Sequence, residues 1–297
     1  MRYAIGIDLG GTNVKIISVS DRGRIIRRDR FATHDDFSNR WARAVLKQIR
    51  SIENKHGKAQ WIGLACPGLA APNGSGIIWM QGRMAGLEGF DWARHLRRPR
   101  VPVLSDAHAA LLGEIWKGAA KNARNAVLLT LGTGVGGAIL ADGRLLKGHI
   151  GRAGHLGHIS LDIDGPPDIV RTPGSLEDAI GEMTLAHRCN GRFKSTRELV
   201  QAHLGGDGLA SSVWLRSVRV LAAAVVSYIN AVDPEIVIIG GGIAKAGPAL
   251  FDPLTHYLDM YEWRPHGHRV KIVPAKLGDE AGALGAAWNA IHYDPKS

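Results

Sequence analysis

The sequence predicts an α/β protein made of two related halves. Three observations carry this. First, Ala4–Ser18 (AIGIDLGGTNVKIIS) reads as a strand, a glycine turn and a second strand. Second, the same form returns at Ala126–Leu140 (AVLLTLGTGVGGAIL), the mark of an internal duplication. Third, hairpins alternate with stretches of helical periodicity after each of these openings, which is the α/β pattern.

In the opening unit, Ile5, Ile7 and Leu9 alternate with small or polar residues, and Val14, Ile16 and Ile17 resume the apolar run. Gly10 and Gly11 are expected to take positive φ in a hairpin-type turn, since glycine pays no Cβ penalty there. Arg24–Arg30 adds a third strand, and Asp35, Asp36 and Ser38 offer N-cap chemistry. The helix that follows sets Trp41, Val45, Ile49 and Ile52 on one face and stops near Gly57. Trp61–Ala65 is a short buried strand running into Cys66-Pro67-Gly68. Leu69–Leu96 is irregular and holds Trp79, Gln81, Gly82 and Trp92; long irregular segments in compact domains tend to be functional. For the two tryptophans, core packing and stacking on a ligand face are equally open. Val101–Leu104 is a strand, and Ser105-Asp106 leads into a helix from Ala107 to about Lys117.

In the second half, Ala126–Leu131 runs into the glycine turn 132–137, and Asp142-Gly143 makes the next hairpin. Gly148–Asp162 (GHIGRAGHLGHISLD) contains three histidines. Ser175–Asp178 resembles a capping box opening a helix to about His187. Helices are predicted over Thr196–His203, Val213–Val232, Phe251–Trp263 and Glu280–Ile291. Ile236–Ile239 is a strand entering a third glycine turn, Gly240–Gly242, and Val270–Val273 is the last strand.

Composition narrows the function classes. Two cysteines, Cys66 and Cys189, give no metal-ligand spacing and no disulfide framework, which suits a reducing cytoplasm. Asp8 interrupts the first apolar run, so no signal peptide is expected, and the longest uncharged run, Leu221–Val232, is too short to span a bilayer. The net charge of +10 raises nucleic-acid binding, but the basic residues are dispersed and no nucleic-acid motif accompanies them. Attraction of anionic substrates such as nucleotides is the milder use of that charge.

The chemistry-bearing residues sit at the turns. Glycine turns expose backbone N–H groups to phosphate oxygens, and Asp8 beside one of them suits a hydrated Mg²⁺. Asp106 stands at a strand-to-helix junction, where parallel-sheet proteins place ligands, although on the residues alone an N-cap role is the better explanation of an aspartate there.

IGIDLGGTNVK, VLLTLGTGVGGAI, IVIIGGG and LGDEAGALGAA resemble the phosphate, adenosine and hinge motifs of the hexokinase–actin–heat-shock ATPase superfamily, and specifically the ROK family of bacterial sugar kinases and repressors. The resemblance covers nearly the whole chain in order. It implies two ribonuclease-H-like (actin-like ATPase) domains with ATP and Mg²⁺ in the cleft between them. A sugar would lie beside the γ-phosphate, and phosphate would pass to a sugar hydroxyl, usually O6. The domains are expected at 1–105, with the C-terminal helix 280–297 packing back on it, and at 106–279. Asp8, Gly10, Gly11, Thr12 and Lys15 would form the first phosphate loop, and Asp8 would hold Mg²⁺ through water. Gly132, Thr133, Gly134 and Gly136 would form the second, and Gly240, Gly241 and Gly242 would flank the adenosine. Asp106 would be the catalytic base, and Gly68, Gln81, Ser105, Asp106, His155 and His158 would meet the sugar. A homodimer or higher oligomer in the cytoplasm, with no nucleic acid or membrane as partner, completes the implication. The first phosphate motif begins at residue 4, which leaves no room in this sequence for the winged-helix domain that precedes it in ROK repressors.

The departures are specific. Ser105 stands where the family has Asn, and His155 where GxAGExGH has Glu, while His158 keeps the family histidine. The zinc motif CxCGxxGC is replaced by GPPDIVRTPGSLED, with Ser175 where the last cysteine would fall, so no structural zinc is expected. His149, His155 and His158 remain open as sugar contacts, packed histidines or a metal cluster. The alternatives to a glucokinase-like activity are a non-catalytic sugar or nucleotide sensor and a kinase of a non-glucose sugar or other polyol.

Overall fold

A computed structural model describes residues 2–36, 38–80, 82 and 84–293. They fall into two units. The first contains the residues up to Asn122, Leu146–Ala153 and those from Lys276 onward, and the second Ala123–Leu145 and Gly154–Ala275.

The first unit is built on a five-stranded sheet of β1 (Tyr3–Leu9), β2 (Asn13–Ser20), β3 (Ile25–Ala32), β4 (Trp61–Cys66) and, after a two-stranded ribbon of β5 (Leu69–Ala70) and β6 (Ile77–Trp79), β7 (Val103–Ser105). Its order is β3-β2-β1-β4-β7, with β1–β2 and β2–β3 antiparallel and β1–β4 and β4–β7 parallel. The second unit repeats this order as β10-β9-β8-β11-β12, from β8 (Ala126–Leu131), β9 (Val135–Ala141), β10 (Arg144–Leu145), β11 (Ile236–Gly240) and β12 (Lys271–Pro274). The pairing senses are repeated too, so the duplication read from two glycine turns extends through both sheets.

Alternation along β1 assigns its two faces. Tyr3, Ile5, Ile7 and Leu9 join a core completed by Trp41, Val45, Ile49 and Ile52 of α1 (Arg40–His56). Trp92, in α2 (Trp92–His95), belongs to that core, with its ring 5.5 Å from Trp41 and 4.9 Å from Phe90. Packing therefore accounts for Trp92, whereas Trp79 is half exposed on β6. The expected N-cap of α1 is not made: Asn39 occupies that position in the left-handed region without a capping bond, and Asp35 instead accepts the Met84 N–H at 2.8 Å.

The other face of β1 carries Ala4 and Gly6, and here α9 (Ala281–His292) lies against β1, β2 and β4 and against α3 (Asp106–Lys117). The approach is close enough that Cβ atoms on Gly6 and Gly63 would fall on the carbonyls of Ala283 and Ala286, and one on Gly285 on the carbonyl of Ala109. This seam places α3 in the first unit, so the division lies after Asn122 and not after residue 105. Buried Glu114, near the end of α3, accepts the backbone N–H groups of Ala119, Lys276 and Leu277 and so fixes the entry to α9.

The core of the second unit centres on α7 (Gly208–Val232), which buries Trp214, Val218, Leu221, Val225 and Ile229. It packs with α4 (Leu176–Ile180), α6 (Thr196–Leu204) and α8 (Pro248–Tyr261). Among the described helices α7 alone is long and apolar enough to cross a membrane, and its apolar face is taken up in this core. It begins earlier than residue 213 because Asp207 caps it, accepting the Ala210 N–H at 2.8 Å. The helix expected from Ser175 to His187 is broken at Gly181 into α4 and α5 (Leu185–Arg188). The Gly181 carbonyl is turned to Arg188 Nη2 at 2.7 Å and Thr184 Oγ1 at 3.1 Å, side-chain donors that replace the helix ladder.

Gly285→Ala should destabilise the first unit by about 3 kcal/mol or more, the upper range for an overpacked site, because the obstacle is backbone. Gly208→Ala, with open space at its Cβ position in the first turn of α7, should instead be neutral or stabilising by about 0.5–1 kcal/mol. Denaturant midpoints of the two variants check the pair; equal losses would show that the glycine seam does not control packing.

Candidate active site

In the first unit the C-terminal ends of the parallel strands β1, β4 and β7 lie side by side. Asp8 is opposite Ala65, Ala65 opposite Leu104, and Cys66 opposite Ser105. The first glycine turn, Cys66-Pro67-Gly68 and Ser105-Asp106 therefore share one sheet edge, the place where open α/β sheets bind ligands.

Asp8 is half-buried, with Lys15 Nζ at 3.5 Å from its Oδ2. Lys15 also lies 3.9 Å from Asp279, which Arg30 approaches at 3.7 Å. A Cβ on Gly282 would be 3.0 Å from the Asp8 Cγ, so glycine is what lets the first turn of α9 come up to this carboxylate. Burial pushes the Asp8 pKa up to about 6, partly offset by Lys15 and reinforced by the charge of Asp106. The Cys66 thiol is held well above its ordinary value by burial and then by Asp8 and Asp106. Asp8 and Asp106 thus act on each other and on a common buried neighbour.

The turn between β1 and β2 is held by Gly10 N–H donating to the Asn13 carbonyl at 3.1 Å, Thr33 N–H to Thr12 at 3.0 Å and Thr33 Oγ1 to Gly10 at 2.5 Å. The expectation of positive φ is corrected at Gly10, which lies outside the left-handed region; a Cβ there would meet Asn13 O at 3.0 Å, so the requirement is for space. Gly68 does take positive φ, 95°, and packs against the Trp79 carbonyl. Gln81 lies outside the described residues.

Ser105 caps α3, its Oγ accepting the His108 N–H at 3.4 Å. Asp106 is the first helical residue, exposed, with Oδ1 accepting the Ala107 N–H at 2.7 Å. The capping role that competed for Asp106 therefore belongs to Ser105.

In the second unit β8 and β11 are parallel neighbours, with Gly240 opposite Thr130, so the second and third glycine turns sit at one end of one sheet. Gly132 N–H donates to Gly134 at 2.9 Å, while the carbonyls of Gly132 and Thr133 accept Glu182 and Met183 N–H at 3.0 Å each. Gly136 lies within β9, opposite Thr130, not in the turn itself. Gly241 has φ of 90°, and its Cβ position falls on the Leu131 backbone, while Gly242 faces open space.

The GRAGHLGH segment spans both units: His149 precedes it in the 146–153 stretch of the first, and His155 and His158 belong to the second. Among the described residues no three of His, Cys, Asp and Glu come together as a metal site, so the cluster reading of the three histidines is not supported. His158 Nδ1 is 2.8 Å from Asp168 Oδ2, and the Leu156 carbonyl between the two histidines accepts the Tyr228 hydroxyl at 2.6 Å.

The family model of the ROK family matches residues 4–292. A glucokinase of Thermotoga maritima is 31% identical over 95% of this chain and 95% of its own length. The crystal structure of a ROK hexokinase from Thermus thermophilus matches at a TM-score of 0.84 and 30% identity, covering 97% of each chain. The chain belongs to the ROK family. A ROK glucokinase of Streptomyces griseus, solved with glucose and AMPPNP, shares the fold at a TM-score of 0.78 and 24% identity, over 97% of this chain and 99% of its own. The duplicated 3-2-1-4-5 sheet is thus the actin-like ATPase fold as ROK proteins carry it.

Two acidic residues of this ROK chain escape a reading of its motifs. Glu177 Oε2 accepts the Val135 N–H at 2.8 Å and crowds Gly134, bracing the second glycine turn. The capping box pointed to that stretch but not to the turn. Asp168 stands in the segment that lacks the zinc cysteines, where its one signal was a lone acid among prolines and apolar residues.

The raised Asp8 pKa fixes a sign. Below 3.8 the group is protonated folded or unfolded; between 3.8 and about 6 the unfolded chain ionises first. Stability therefore falls as pH rises through that window, by on the order of 3 kcal/mol in total. Asp8→Asn should raise stability at pH 7 and flatten its dependence between pH 4 and 6, as read by denaturant melts at intervals across that range. Parallel pH profiles for wild type and variant would show that Asp8 ionises normally.

Proposed function

We propose that this ROK protein phosphorylates a sugar hydroxyl with ATP, most readily O6 of a hexose, and that Asp106 is the general base. The observation that carries the reading is the placement of Asp106. It is an exposed carboxylate at the end of β7, relieved of capping by Ser105, on the same sheet edge as Asp8 and the first glycine turn. A non-catalytic sensor has no use for a base so placed. The glucokinase and hexokinase names of the relatives favour the same chemistry.

The steps follow from these residues. On the first unit Gly68, Ser105 and Asp106 would meet the sugar, while Gln81, His155 and His158 enter only as the family resemblance implies them. As the hydroxyl oxygen bonds to the γ-phosphorus, its proton passes to Asp106, the bond to the bridging oxygen breaks and ADP leaves. Positioned proton acceptance contributes on the order of 10²–10⁴-fold. Each glycine turn, at Gly10, Gly11 and Thr12 with Lys15 and at Gly132, Thr133 and Gly134 with Gly136 behind them, is proposed as a phosphate loop, in which N–H groups other than those of Gly10 and Gly132, engaged within the turns, would stabilise charge. Within Gly240–Gly242, Gly242 faces open space and would leave backbone for the adenosine.

The first-unit residues fit Mg²⁺. Asp8 and Asp106 raise the local negative potential, and burial already opposes ionisation of Asp8. Asp8 would hold the hydrated cation, which supplies charge neutralisation for the phosphates when bound. The two free cysteines, Cys66 and Cys189, are both buried, in keeping with a cytoplasmic protein. A homodimer or higher oligomer is proposed from the family alone.

The test is ADP release with Mg-ATP across glucose, mannose, fructose, allose, N-acetylglucosamine, N-acetylmannosamine and inositol. At least one sugar should stimulate release, and failure of all of them while ATP binds would move the sensor reading ahead. On the accepted sugar, Asp106→Asn should lower kcat by at least about 10²-fold with little change in melting. Near-wild-type turnover would remove Asp106 from the mechanism. His155→Glu should move the ranking toward glucose; an unchanged ranking would mean that His155 does not select the substrate.

A further inference from the structure

The loop following the GRAGHLGH segment is organised around one carboxylate. The Asp168 side chain is fully buried. Oδ1 accepts the N–H groups of Val170 at 2.9 Å and Thr172 at 2.8 Å, and Oδ2 lies 2.8 Å from His158 Nδ1. Burial alone would raise its pKa, but hydrogen bonds from His158, Thr172, Ser175 and Val170 prevail and hold it below the ordinary carboxylate value. The loop closes on this group: Leu161 N–H donates to Gly174 at 3.0 Å, Gly174 N–H to Pro166 at 2.9 Å, and Ser160 Oγ to Pro173 at 2.7 Å.

A structural zinc does not fit here. Its sulfur ligands are absent, the Ser175 hydroxyl bonds to Asp168 and accepts the Asp178 N–H, and the His158 nitrogen that faces the loop is engaged by the carboxylate.

We infer that Asp168 is a positioning residue that takes the place of a metal and sets the polarity of His158 toward the sugar. A metal on Nδ1 needs the lone pair there, which puts the ring proton on Nε2 and makes Nε2 a donor. A carboxylate on Nδ1 needs the proton there, which leaves Nε2 of the neutral ring as an acceptor. His158 in this chain accepts a hydrogen bond from a sugar hydroxyl where a metal-bound histidine would donate one. The carboxylate also fixes the ring plane, as second-shell carboxylates do for ligating histidines. The sugar part of this inference rests on the kinase reading above; the tautomer does not.

The test is ¹⁵N-histidine NMR of the full chain at pH 8, with the His158 signals assigned by their loss in His158→Gln. The expected pattern is a protonated Nδ1 and an unprotonated Nε2. A proton on Nε2, alone or with one on Nδ1, overturns the inference, as does stoichiometric zinc in metal analysis of the purified protein. Asp168→Asn should disturb this tautomer pattern and raise the KM for the accepted sugar about tenfold, leaving the KM for ATP within about twofold. An unchanged tautomer and sugar KM in that variant also overturn it. Where Asp168→Asn does not fold, the wild-type tautomer and zinc content decide alone. The expected tautomer without any sugar phosphorylation would sink the kinase reading and keep the positioning role.

Discussion

Everything in the first unit depends on how closely α9 approaches its neighbours. At Gly6 and Gly63 on the sheet, and at Gly285 against α3, backbone meets backbone with no room for a methyl group. Beside these contacts only a small side-chain cluster, with Ile17, Val19 and Leu284, packs on this face of the sheet. The close approach also brings the first turn of α9, through Gly282, to the carboxylate of Asp8. The positive end of a helix favours a carboxylate. Because α3 is held by the same helix, the position of Asp106 relative to Asp8 is set by packing at glycine, several residues from either acid.

The two sheets share one topology but are furnished differently. In the first, the strand ends gather carboxylates, Asp8 and Asp106, around the buried thiol of Cys66. In the second, the corresponding ends carry backbone turns whose carbonyls are tied to the segment after α4. One edge carries charge, and the other carries tied-down backbone with open space at Gly242. Duplication followed by divergence of the strand ends has thus given one fold two differently furnished edges.

Strand and helix periods were plain in the sequence, because each sheet has one apolar pattern per strand and each long helix one buried stripe. The glycine turns were equally visible, yet the reason for the glycine was misread at Gly10. Adjacent glycines suggest positive φ, whereas the constraint there is a close carbonyl. Asp142-Gly143 shows the contrast, for both residues have positive φ, 50° and 77°. The break at Gly181 and the boundary after Asn122 were hidden for a related reason. The boundary is decided by contacts distant in sequence, at the α9 seam, and the break by side-chain donors three and seven residues on, Thr184 and Arg188, which the helical period does not announce. Asp168 was legible as a residue but not as a partner, since nothing local to GPPDIV says that His158 will meet it.

The local electrostatics of the first unit follow a consistent logic. Burial opposes charge at the Asp8 carboxylate and the Cys66 thiol, and Lys15 offsets only part of that opposition at Asp8. A fold selected for stability alone would put apolar or amide groups at Asp8. The strain is local and electrostatic, with the backbone regular on both sides: Asp8 sits in a paired strand and Asp106 in a capped helix. The scaffold is therefore regular around a carboxylate whose charge burial disfavours, and a ligand that brings positive charge to Asp8 would offset that cost without any change in the pairing of its strand. That is preorganisation in its electrostatic form: the reorganisation has been done during folding, and binding completes the field.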